Sequence, residues 1–131
     1  MKILASMFAS GACVAALDLF WVGWAANAFY KSRLGHLMAE RVYWPGAIGF
    51  YLIYPAAVWF FAVSPAASAG AAAARGAALG FTVYGVYNFT NLALLKGWTW
   101  QVVLADVAWG TLLTAAAALA GFAASAGGTI K

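Results

Sequence analysis

Four long stretches in which nearly every position is apolar make up most of the chain, and a few single polar side chains interrupt them. A run of about 20 apolar residues suffices to cross a bilayer as a helix. The pattern therefore predicts an all-α fold, a four-transmembrane-helix up-down bundle forming one membrane domain over 1–131. Its helices are expected at about 3–29, 45–63, 73–95 and 99–124.

The first stretch is about 40 Å long at 1.5 Å per residue, against a hydrocarbon core of about 30 Å, so its last turns should emerge beside Lys31-Ser32-Arg33. Lys2 and the following apolar run resemble a signal peptide. That run continues past Asp18 to Trp24, longer than a signal core, which predicts an uncleaved first helix. The connection over 30–44 is polar, with a short interfacial helix expected over 34–41 and His36 exposed at the headgroups.

Pro45 suits the first turn of the second helix, whereas Pro55 removes a mid-helix hydrogen bond and predicts a kink. Tyr51 and Tyr54, three apart, are expected to be buried with hydroxyl partners. The link over 64–74 holds only Ala, Ser, Gly and Pro, with no chemistry in it, and its Ala run could extend the third helix backwards. Gly76 and Gly80, and likewise Gly110, Ala117 and Gly121, allow close helix approach, either within the bundle or in a homodimer. The tail over 125–131 is expected to fray.

The polar interruptions gather between Tyr84 and Thr111, where Asn88, Thr90, Asn91 and Asp106 lie on two helices joined by Lys96-Gly97-Trp98. An ionised carboxylate at mid-bilayer costs at least about 2.5 kcal/mol, so Asp106 should face the protein interior. Tyr84, Asn88 and Asn91 recur at helical spacing and share a face. Up-down topology brings Asp18, Tyr51, Tyr54, Asn88, Asn91 and Asp106 into one half of the membrane, next to the first and third connections. Trp24, Tyr30, Tyr43, Trp44, Trp98 and Trp100 form an aromatic belt there.

Composition supports a membrane setting: 66% of residues are hydrophobic and 8% charged, where soluble domains carry about 25% charged residues. The net charge of +4 comes from scattered Lys and Arg, which argues against nucleic acid as a partner. Four of these cations lie on the first and third connections and three on the other side. The crowding of Lys31, Arg33 and Arg41 predicts those connections to be cytoplasmic and the termini periplasmic. One Cys and one His supply no metal site, and no cofactor or nucleophile motif is present.

Asp18 and Asp106 each open a D-x-x-W, with Trp21 and Trp109 one turn away on the same side. Each indole could reach a polar neighbour while its ring shields the acid from lipid. Because the two helices run oppositely, the two Trp should sit at opposite levels relative to their Asp. No Lys or Arg lies at this depth, so at least one acid is expected to hold a proton at neutral pH.

The chain resembles, over nearly its whole length, the bacterial inner-membrane family filed as domain of unknown function 2177. The resemblance rests on Leu17-Asp18-x-x-Trp21-x-Gly23, Phe29-Tyr30 with Leu34-Gly35-His36-Leu37, and Phe50-Tyr51-x-x-Tyr54. It also rests on Tyr84-Gly85-x-Tyr87-Asn88-x-Thr90-Asn91 and Asp106-x-x-Trp109-Gly110-Thr111. It implies a multi-pass protein of the bacterial inner membrane and confers no activity.

The expectation is a polar pocket built from Asp18, Trp21, Tyr51, Tyr54, Tyr84, Asn88, Asn91, Asp106 and Trp109. That pocket would bind, and could transport, a small or amphiphilic ligand with proton linkage. Two alternatives stand beside it: an accessory or assembly subunit of a larger membrane complex, and a lipid-modifying intramembrane enzyme using the Asp pair as acid and base.

Overall fold

The first apolar stretch is too long to cross the bilayer as one straight helix, and it breaks where it would emerge. In the computed structural model, which describes residues 1–126, helix α1 runs over Lys2–Phe20 and passes into a π-helical turn, Trp21–Ala25. That turn closes with the Ala26 amide donating to the Trp21 carbonyl at 2.7 Å. Ala26 then leaves helical geometry at φ −112°, ψ 8°, and α2 begins, Asn27–Leu34. The Asn27 side chain donates to the Val22 carbonyl at 3.1 Å, satisfying an acceptor released at the bend. The expected helix over 3–29 is thus a spanning part and a short second helix.

Lys31 and Arg33 fall in the last turn of α2, where cations complement the helix dipole. A 3₁₀ turn, Gly35–Leu37, follows, and Met38 is extended at φ −78°, ψ 132°. The interfacial helix expected over 34–41 is therefore displaced toward the N-terminus, because the bend at Ala26 comes earlier than expected.

Helix α3, Trp44–Val58, starts with Pro45 in its first turn and continues through Pro55. One residue beyond it a second π-helical turn begins, Trp59–Val63, closed by the Ser64 amide on the Trp59 carbonyl at 2.8 Å. Helix α4, Ala69–Leu94, extends back through the Ala run of the connector to a start capped by Ser68, which accepts from the Ala71 amide. Helix α5, Trp100–Ala126, takes in the first two residues of the tail expected to fray. The rest of that tail lies outside the described residues.

The described residues are all-α, and three of their helical segments are long and apolar enough to cross a membrane: Lys2–Ala25, Trp44–Val63 and Trp100–Ala126. Helices α4 and α5 form the most extensively packed pair, with α1 against the other side of α5. Glycine makes both approaches possible. A methyl group at Gly76 would meet the Thr114 carbonyl and the Ala118 side chain at 2.7 Å, and one at Gly80 would strike the Gly110 carbonyl. On the opposite face, a methyl at Gly121 would strike the Ser10 hydroxyl.

The small-residue faces are therefore taken up inside the chain. Ser10 secures the α1–α5 contact by donating to the Ala117 carbonyl at 2.9 Å. Behind these contacts lies the core, where Val14, Val58, Leu113 and Ala117 are fully or almost fully buried.

Candidate functional site

Gly97 links α4 to α5 at φ 84°, a backbone angle that favours glycine. The tight turn sets the end of α4 against the start of α5, so Asn88 faces Asp106. Asn88 is fully buried and uses its whole side chain. Its amide donates to the Tyr84 carbonyl at 2.9 Å and to Asp106 Oδ2 at 2.5 Å, and its oxygen accepts from Trp98 Nε1 at 3.2 Å.

Asp106 receives a second donor from the far side. The bend at Ala26 sets α2 so that the Tyr30 hydroxyl donates to Asp106 Oδ1 at 3.0 Å. Trp21 Nε1 in turn donates to the Tyr30 oxygen at 3.2 Å. Both oxygens of Asp106 are thus engaged. Burial pushes the Tyr30 phenol above its usual pKa, and the Asp106 carboxylate beside it acts in the same direction.

Asp18 is treated differently. Trp109 Nε1 donates to its Oδ1 at 3.4 Å, and Oδ2 has no hydrogen-bond partner among the described residues. The two indoles stack, with Trp21 and Trp109 centroids 4.5 Å apart and planes within 7°. Each D-x-x-W therefore serves the other: Trp109 reaches Asp18 directly, and Trp21 reaches Asp106 through Tyr30.

Below this layer a second polar pair is sealed in the core. Thr114 donates to the Gly110 carbonyl at 2.7 Å, so the Tyr54 hydroxyl, 2.5 Å from Thr114 Oγ1, is the donor of that pair. The Tyr84 ring lies directly over Gly110.

Asp18, Trp21, Tyr51, Tyr84, Asp106 and Trp109 line one cleft of about 480 Å³, together with Phe50 and the backbone around Gly23. The Tyr51 and Tyr84 hydroxyls make no hydrogen bond among the described residues. Tyr51, expected to be buried, is 37% exposed. Asn88 and Tyr54 lie behind the cleft wall. Asn91 is half-buried, does not line the cleft and makes no side-chain hydrogen bond among the described residues.

The sequence pattern assigns no place in the pocket to Tyr30, Trp98 or Thr114. Tyr30 and Trp98 read as members of the interfacial belt, although the Phe29-Tyr30 pair is part of the motif set. Thr114 carries no pattern beyond a hydroxyl within reach of the preceding turn. Among the described residues no group of three His, Cys, Asp or Glu side chains could hold a metal.

Comparison with curated proteins and with solved structures gives no match. A family model described as a predicted membrane protein, DUF2177, matches residues 3–123, and the chain belongs to that family.

Proposed function

We propose that this membrane protein binds an amphiphilic ligand at the cleft between Asp18 and Asp106. The observation that carries the reading is the contrast between the two acids. Asp106 accepts from Tyr30 and Asn88, whereas Asp18, which lines the cleft with Tyr51 and Tyr84, has an oxygen without a partner among the described residues, as do their two hydroxyls. A network serving only to join helices would gain by pairing all of these groups, since an unsatisfied polar group in hydrocarbon costs several kcal/mol.

In this reading α4 is a fourth span. Its 26 residues reach about 39 Å, enough for the hydrocarbon core. The four helices then alternate through a bacterial inner membrane, with the cleft in the half next to the connections after α1 and α4, those connections cytoplasmic and the termini periplasmic. Occupancy is linked to protons through Asp18. The titratable groups around it are Asp106, Tyr51 and Tyr84, with Tyr30 behind Asp106.

Native mass spectrometry of the protein released from its own membranes tests the proposal. A retained amphiphile is expected on the wild-type chain and is expected to be depleted in Asp18→Asn. Identical adduct spectra for the two proteins would overturn it.

A further inference from the structure

The cleft walls specify more than amphiphilicity. Trp21, Trp109, Phe50, Tyr51 and Tyr84 line the same cleft as Asp18, and no Lys, Arg or His is among its lining residues within the described part of the chain. Aromatic faces attract cations through their quadrupole, and aromatic cages are a recurrent means of holding ammonium groups. A carboxylate in the same wall supplies the opposite charge. A phosphate or carboxylate headgroup would meet an acid and ring faces of the same sign, which disfavours it.

A second cavity supplies the rest of the ligand site. Between α1 and α3 runs a groove of about 820 Å³, lined by Leu4, Phe8, Ala12, Ala15, Leu52 and others, nearly all apolar. Tyr51 lines both this groove and the acid-bearing cleft, so the two adjoin at that side chain. Gly11 lets α3 approach there: a methyl at that position would stand 3.2 Å from the Pro55 ring. The groove's outer residues, Leu4 at 70% and Phe8 at 79% exposure, face the direction from which lipid would arrive.

We infer that the occupant is a lipophilic ammonium ion, its charged head held by Asp18 and the aromatic cage and its alkyl tail lying in the groove between α1 and α3. This rests on the amphiphile reading above and adds the charge of the head and the path of the tail.

Equilibrium binding in maltoside micelles tests it, with labelled dodecyltrimethylammonium as probe and dodecanol as the uncharged probe of equal tail length. Dodecyltrimethylammonium is expected to bind the wild-type chain and to lose affinity by about 30-fold or more in Asp18→Asn, the range for removing one partner of a desolvated charge pair. Ala12→Trp, which fills the groove, is expected to weaken dodecyltrimethylammonium while leaving tetramethylammonium unchanged. Unaltered circular dichroism and melting would show both variants folded.

If dodecanol binds in an Asp18-dependent manner and the cation does not, the charge assignment is overturned and the amphiphile reading survives. If neither probe depends on Asp18, both fall. Equal weakening of dodecyltrimethylammonium and tetramethylammonium by Ala12→Trp would overturn the tail path alone.

Discussion

The indoles of Trp21 and Trp109 stack at 4.5 Å with their planes nearly parallel; Trp109 donates to Asp18, and Trp21 donates to Tyr30, whose hydroxyl donates to Asp106. Two short repeats on antiparallel helices thus become one cross-braced unit. Stacked aromatic pairs contribute about 0.5 to 1.5 kcal/mol beyond area burial. A double-mutant cycle with Trp21→Leu and Trp109→Leu should return a coupling energy in that range from unfolding midpoints in mixed micelles. Simple additivity of the two substitutions would contradict the brace.

The two acids should separate in their effect on stability. Asp106 accepts two hydrogen bonds, and Asp106→Ala strands the Tyr30 hydroxyl and one Asn88 donor, at a cost of about 1 to 3 kcal/mol for each group left unsatisfied. Asp18 accepts one long bond from Trp109, and Asp18→Asn preserves an acceptor, so a change below about 1 kcal/mol is expected. Detergent-induced unfolding of both variants decides the matter. A larger loss for Asp18→Asn would mean that the free oxygen has a structural partner.

Much of this arrangement was legible in the residues. The need to hide Asp106 from lipid led to its interior placement, and the shared helical face of Tyr84 and Asn88 led to the contact between α4 and α5. What remained hidden depends on a single backbone event. The π-helical turn after Phe20 and the bend at Ala26 carry Tyr30 back onto Asp106, and hydropathy has no term for where a helix changes its winding. Asn91 shows the converse limit: its spacing matches that of Tyr84 and Asn88, yet it sits beyond the reach of the cleft near the end of α4. Period alone fixes a face and says nothing of depth.

Glycine substitutions should act in opposite directions on the two sides of the bundle. At Gly80 any side chain collides with the Gly110 carbonyl and the Thr114 side chain, and backbone cannot move aside cheaply. Gly80→Val should therefore cost at least about 1 to 3 kcal/mol. At Gly49, in α3, an added methyl meets nothing within 4 Å, so Gly49→Ala should raise stability by about 0.5 to 1 kcal/mol through the entropy of the unfolded chain. Paired melting curves check both signs, and a stabilising Gly80→Val would contradict the close crossing of α4 and α5.

Alkaline pH offers a test of the bend itself. Burial, opposed in part by the hydrogen bond from Trp21 and reinforced by the Asp106 carboxylate, holds the Tyr30 phenol above its usual value, which is about 10. A pKa raised on folding stabilises the protonated form in the native state. That contribution is whole below about pH 10 and is lost as pH rises from there through the folded value. Unfolding midpoints measured along an alkaline series should fall for the wild-type chain and fall less for Tyr30→Phe, which has no phenol to ionise. The difference between the two curves isolates Tyr30 from the other titrating side chains. Parallel curves would mean that the hydroxyl does not sit against Asp106, and with it would go the role of the Ala26 bend in bringing the two together.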